Sequence, residues 1–120
     1  MDGVQLAAAL NDRRLPGIRF YPTRFTPTTS EYAGERCQGV YLIVTDRTTL
    51  RPMRVGLEIA AALRRLYGPR YQLEAAVNLL GSRESVMRVA AGEDPARVAE
   101  SWAGDEAKWR LLRARYVLYP

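Results

Sequence analysis

Residues 19–52, RFYPTRFTPTTSEYAGERCQGVYLIVTDRTTLRP, decide the fold. Ile18 and Phe20 alternate with Arg19 and Tyr21 as in a half-buried strand, and Pro22, which has no N–H to donate, assigns that strand to an edge or a bulge. A second strand follows at Val40–Thr45. Val40, Leu42 and Val44 share one of its faces and Tyr41, Ile43 and Thr45 the other, and because both sets are largely apolar the pattern reads as a central strand covered on two sides. Asp46 closes it. The stretch between the strands is longer than the usual connection of about 4–6 residues, and such a loop ordinarily binds something or is disordered. With Phe25, Tyr32 and Cys37 in it, and with Pro27 and Gly34 spaced singly, it reads as a compact loop packed by its own side chains.

Outward from this stretch the pattern is helical. Asp2 is placed to cap a first helix with Val4, Leu6, Ala7 and Leu10 on one side, ended by Leu15-Pro16-Gly17. Pro52 suits the first turn of the next helix, in which Val55, Ile59, Ala62, Leu63, Leu66 and Tyr67 form one stripe, expected to be the main helix-on-sheet contact; Gly68-Pro69 ends it. Tyr71–Leu73 reads as a short third strand. Ser82 caps a helix bearing Val86, Val89 and Ala90, Gly92 stops it, and Asp94-Pro95 opens another. After Gly104, the acidic pair Asp105-Glu106 favours a last helix on which Trp109, Leu112 and Tyr116 recur towards Tyr119, a stripe that reads, with Trp102, as core rather than as a sugar-stacking platform. The fold class is α+β: a single domain with a small sheet of two or three strands packed by about four helices.

At 120 residues the chain is long enough for one hydrophobic core. Met1-Asp2-Gly3-Val4 leads almost directly into a helical pattern, which reads as the interior of a longer protein rather than as a signal peptide. No run approaches the roughly 18 apolar residues that would cross a membrane, so no membrane insertion is expected. Histidine is absent and Cys37 is the single cysteine, which excludes Ser-His-Asp and Cys-His nucleophile systems and Cys/His zinc sites built from this chain. Cys37 is expected to fill a small apolar pocket. The net charge is +5, and Lys108 is the only lysine among 18 basic residues. The arginines are spread over several helices and interleaved with acids, unlike the clustered footprint of a nucleic-acid-binding protein, so no nucleic-acid partner is expected.

No convincing pair of catalytic carboxylates appears, since Glu31 and Glu35 merely flank the loop tip. Asp46 and Arg47 end a strand, where side chains line a rim, and Arg51 and Arg54 offer planar donors to a carboxylate. Two readings of that rim stand: it faces a ligand, with Asp46 orienting an arginine, or Asp46 caps the turn into Arg51-Pro52 and the three residues pin the strand to the helix.

These same segments carry a resemblance. Leu15-Pro16-Gly17-Ile18-Arg19-Phe20, Phe25-Thr26-Pro27, Tyr32-Ala33-Gly34, Cys37-Gln38-Gly39-Val40, Thr45-Asp46-Arg47, Arg51-Pro52, Gly56-Leu57 and the ending 112–120, in this order, resemble the C-terminal domain of the NamZ-type exo-β-N-acetylmuramidases. The resemblance covers nearly the whole of residues 1–120. It implies an auxiliary domain of a bacterial peptidoglycan-fragment hydrolase whose Rossmann-like catalytic domain, absent here, lies N-terminal and supplies the catalytic glutamate. It also implies a sugar cleft between the two domains. Glu31 stands where the family pattern has lysine, and Ile43 where histidine often precedes the Val-Thr-Asp element, so neither side chain inherits a family contact. On this reading the partners are the catalytic domain and a muropeptide or amino-sugar ligand, no catalytic residue, metal or cofactor belongs to this chain, and the full enzyme is either cytoplasmic or secreted. Arg24, Phe25, Tyr32, Asp46, Arg47 and Arg51 are the residues expected to meet ligand or catalytic domain. The alternative is a free-standing carbohydrate- or protein-binding module without catalytic activity.

Overall fold

The computed structural model describes residues 1–118. Helix α1 (Gly3–Asn11) leads into an antiparallel hairpin of β1 (Ile18–Phe25) and β2 (Cys37–Val44), and the long helix α2 (Pro52–Tyr67) follows. Short 3₁₀ turns at Gly68–Arg70 and Leu73–Ala76 then lead to α3 (Val77–Leu80), α4 (Arg83–Ala90), α5 (Pro95–Glu100) and α6 (Ala103–Arg113). The α+β class holds; beyond the helices expected from capping and periodicity there is α3, whose 4 residues leave no periodicity to read. No third strand forms at Tyr71–Leu73. Tyr71 and Gln72 link two 3₁₀ turns, and Leu73, the first residue of the second, is instead buried against the later helices.

Two apolar clusters share α2 as a spine. The first joins Leu6, Ala7 and Leu10 of α1 with Leu15, Ile18 and Phe20, and receives Val55 and Ala62 together with half-buried Ile59, Leu63 and Leu66. The expected stripe therefore faces the first cluster, buried at Val55 and Ala62 and half-buried along the rest, but the element lying directly on the sheet is α1, and α2 packs chiefly on α1 and α5. The second cluster gathers Leu57 and Ala60 from another side of α2 with Leu73, Val86, Val89 and Val98.

Local sequence explains how the hairpin is seated. Asp2 caps α1 by accepting hydrogen bonds from the Val4 and Gln5 amides. The start of α1 rests on the backbone of β2, so closely that a Cβ at Gly3 would collide with the Gly39 carbonyl oxygen. At the other end of α1, the Asn11 amide donates to the Phe20 carbonyl at 2.7 Å while Asn11 Oδ1 accepts from the Phe20 N–H at 3.1 Å. The Phe20 backbone groups thus point away from β2. Pro22, two residues on, points the same way, so its missing N–H costs no inter-strand bond with Val40 opposite. Gly17, at φ +75°, turns the chain into β1, and its carbonyl accepts from the Thr45 and Asp46 amides.

The C-terminal helix corrects an expectation. Among the described residues α6 buries none, and Trp109, Leu112 and Tyr116 are exposed rather than core; Tyr119 lies outside the described residues. Only Trp102 packs inward, half-buried, with its indole N–H donating to Ser85 Oγ at 3.1 Å. Among the described residues the apolar side of that helix, with Trp109 and Leu112, is left exposed, while its Glu106 and Arg110 border a groove with the start of α2. The radius of gyration, 16.4 Å, exceeds the about 14 Å of a compact domain of this length.

Candidate functional site

Even-numbered residues of β1 face α1, and Ile18 and Phe20 are buried there. The helix reaches over β1 more than over β2. On β2 the consequence is four successive exposed apolar residues: Tyr41 is 63 % exposed, Leu42 44 %, Ile43 40 % and Val44 47 %. The expected doubly covered central strand is thus an edge, bare on both faces from Tyr41 to Val44, because among the described residues it has only one neighbouring strand. Tyr21 stands opposite Tyr41 and Arg19 opposite Ile43 on the outer face, so the patch spans both strands.

The six residues expected at the site fall at opposite ends of the hairpin. Arg24 and Phe25 end β1, where, with Arg36, Cys37 and Gln38, they line a recess of about 300 Å³. Phe25 closes over Gly39: its Cε1 lies 3.2 Å, and Met1 Cε 3.9 Å, from where a Gly39 Cβ would stand. Cys37 is half-buried in that recess. Tyr32 sits exposed in the connecting loop. This loop is not packed by its own side chains; backbone hydrogen bonds hold it, Ala33 to Ser30, Gly34 to Pro27 and Glu35 to Tyr32, with Ser30 and Gly34 at positive φ.

Asp46, Arg47 and Arg51 lie at the other end, about 24 Å away along an antiparallel strand. Asp46 Oδ1 accepts from the Thr48 amide at 2.8 Å and the Thr48 hydroxyl at 2.7 Å, while Oδ2 accepts from the Thr49 hydroxyl at 3.0 Å. Its oxygens therefore hold a turn and orient neither arginine, which is the structural reading of the rim for this residue. Arg51 borders a groove of about 360 Å³ that Arg54, Trp102 and Arg110 also line, a grouping of α2 with α6 that sequence spacing does not show.

The hydroxyl and amide donors of Thr48, then Thr49, hold the Asp46 carboxyl below the ordinary range. A depressed folded pKa contributes stability above the unfolded value of about 3.9, and the contribution is lost as pH falls through the folded value. Asp94 is lowered too, chiefly by the Ala96 amide, and Glu93 by Arg88. The urea midpoint is expected to fall below about pH 4, less steeply in Asp46→Asn than in the parent chain. Equal slopes for the two proteins would show that the Asp46 carboxylate carries no part of the acid sensitivity.

Sequence reading missed a charged cluster that ties the end of α1 to α2 and the start of α5. Glu58, 2 % exposed, accepts from Arg13 Nε at 2.8 Å and Nη2 at 3.1 Å, and Arg13 Nη2 also reaches Asp94 at 2.6 Å. Hydrogen bonding to Glu58 raises Arg13 further above its already high pKa. The signal was Glu58 itself, one acid inside the apolar run Leu57–Leu63. Among the described residues no three His, Cys, Asp or Glu side chains gather as a metal would need, and no helix is long and apolar enough to cross a membrane.

A single α+β domain whose hairpin carries a helix over β1 and the first half of β2 and leaves Tyr41–Val44 bare is the class that the fold defines. The chain belongs to the family described as exo-beta-N-acetylmuramidase NamZ, C-terminal, which it matches over residues 1–119. It is 27 % identical over 118 residues to the peptidoglycan beta-N-acetylmuramidase NamZ of Bacillus subtilis, covering 96 % of this chain and 28 % of that protein. A crystal structure of a DUF1343 family protein from Bacteroides fragilis shares the fold at a TM-score of 0.83 and 24 % identity, over 100 % of this chain and 33 % of that one. The chain thus spans about a third or less of the length of these relatives.

Proposed function

We propose that this chain is the auxiliary domain of an exo-acting N-acetylmuramidase, docking through its hairpin on an N-terminal catalytic domain and helping to wall the sugar cleft. The observation that carries this reading is the bare strand Tyr41–Val44. Contiguous exposed apolar surface of this kind marks an interaction site, and a domain separated from its partner leaves uncovered roughly 600–1,500 Å². Met1 supports it, because chain preceding Met1 would enter the domain beside Phe25 and Gly39, at the edge of the same patch. Arg24, Phe25 and Tyr32 then border the cleft from one end of the hairpin. Arg47 and Arg51 border it from the other, and a guanidinium there would meet the lactyl carboxylate by which muramic acid differs from other amino sugars.

The test is turnover of an aryl N-acetylmuramide by the chain alone and joined to a catalytic domain of the family. The chain alone is expected to be inactive and the joined enzyme active, with Arg51→Ala losing about tenfold or more in kcat/KM on this substrate but not on the analogue lacking the lactyl group. Turnover by the isolated chain that disappears in Glu31→Gln or Glu35→Gln would overturn the auxiliary role. Equal losses on both substrates would remove carboxylate recognition and leave Arg51 a structural residue.

A further inference from the structure

The two outer edges of the hairpin are treated differently. On β1, the Phe20 N–H and C=O are taken by the Asn11 side chain, and Pro22 presents no N–H. These are the devices by which proteins blunt a strand edge that faces water. On β2, Leu42 lies opposite Phe20, so in the alternating antiparallel ladder its N–H and C=O also point outward, as do those of Val40 and Val44 two residues to either side. Among the described residues no hydrogen bond reaches these groups. The strand CQGVYLIV carries no charge, no proline and no bulge, and its side chains from 41 to 44 are exposed.

We infer that β2 accepts a third strand along its outer edge, and that the strand comes from the part of the longer enzyme that precedes this domain. The inference rests on the auxiliary-domain reading and specifies how the two parts join: by strand addition, with backbone groups giving affinity and the apolar side chains of alternate residues giving fit. Two observations select this occupant over a second copy of the chain. Relatives that contain the domain are three or more times its length, and the family is defined as their C-terminal part. Met1 lies beside Gly39 of β2 and Phe25 of β1, and the Gly3 amide two residues on donates to Gln38 Oε1 of β2 at 3.4 Å, so any preceding chain arrives at the end of the hairpin where β2 begins.

Strand addition leaves a signature that docking of a face does not. Hydrogen exchange of individual β2 amides is measured by NMR on this chain alone, at two concentrations, and on the chain joined to its catalytic domain. The amides of Val40, Leu42 and Val44 are expected to slow by about a hundredfold on joining, while those of Tyr41 and Ile43, already bonded to β1, change little. Leu42→Pro removes one outward N–H without touching the β1 ladder, as Pro22 does on its own strand, and is expected to weaken association of the separately produced parts at least tenfold; Leu42→Lys, which keeps the N–H, is expected to weaken it less. Uniform protection of all five amides would mean that a face docks without strand addition, overturning the inference while leaving the auxiliary reading intact. Alternating protection that appears in the isolated chain with rising concentration would assign the edge to a second copy, and no protection in an active joined enzyme would leave the edge bare; either result overturns the inference.

Discussion

Replacing Phe20 with alanine is expected to cost about 3–5 kcal/mol, the range for emptying a buried aromatic site. Phe20 is the largest of the fully buried side chains and the point at which α1, the hairpin and α2 meet. Its backbone is also fixed on both sides, by the register with Leu42 and by the Asn11 clamp, so the surrounding elements have little freedom to close over the cavity. For a domain of this size the loss is expected to lower Tm by about 10 °C or more. A shift of a degree or two, in a variant with an unchanged spectrum, would mean that the first cluster is not what holds the hairpin to the helices.

The second large effect is expected at Arg13. Removing one partner of a buried ion pair costs about 3–5 kcal/mol because the other is left uncompensated. Here the partners are unequal: Glu58 is 2 % exposed and Arg13 28 %. Arg13→Ala strands a carboxylate inside the fold, with Arg54 Nε at 3.6 Å as its remaining cation, whereas Glu58→Gln leaves an arginine that still has Asp94 and solvent. Arg13→Ala is therefore expected to be the more damaging of the two at pH 7. Urea denaturation of the two variants checks this, with Arg13→Met, which keeps most of the alkyl chain but no charge, measured beside them. A loss in Arg13→Met no larger than that in Glu58→Gln would show that the Arg13→Ala loss is one of packing by the alkyl chain rather than of charge.

What could be read from the sequence was what local chemistry writes. The Asp2, Ser82 and Asp94 caps, the prolines at the starts of α2 and α5 and the α2 stripe all follow from residue type and spacing, and each stands where spacing puts it. The misreadings share one cause. An apolar residue signals burial, and the sequence does not say by what. Tyr41–Val44 and the Trp109, Leu112 and Tyr116 stripe therefore read as this domain's own core, yet no element among the described residues covers them. Tyr71–Leu73 failed for a different reason: three residues are too few to separate a strand from a short link running into a 3₁₀ turn.

The candidate site was legible in its parts but not in its arrangement. All six residues belong to the hairpin region, yet Arg24, Phe25 and Tyr32 are separated from Asp46, Arg47 and Arg51 by the length of β2. Sequence proximity across a hairpin says that two segments pair, not which end each side chain occupies. Asp46 carries a local signal that the two open readings of the rim did not use: Thr48 and Thr49, two and three residues on, supply the donors, and the turn is complete within four residues. The Arg51, Arg54, Arg110 and Trp102 grouping depends on how α6 leaves α5, which no local pattern encodes.

The central claim, that the bare hairpin is the surface on which a preceding catalytic domain rests, is tested most directly by photo-crosslinking from Tyr41. With p-benzoylphenylalanine in place of Tyr41 in the joined enzyme, irradiation is expected to give an intramolecular crosslink to the catalytic domain, mapped by mass spectrometry, while the same group at Leu79, exposed on α3 where that helix packs with α2, α4 and the Leu73–Ala76 turn, gives none to that segment. An active enzyme in which position 41 forms no crosslink, or crosslinks only to a second copy of this domain, would contradict the account.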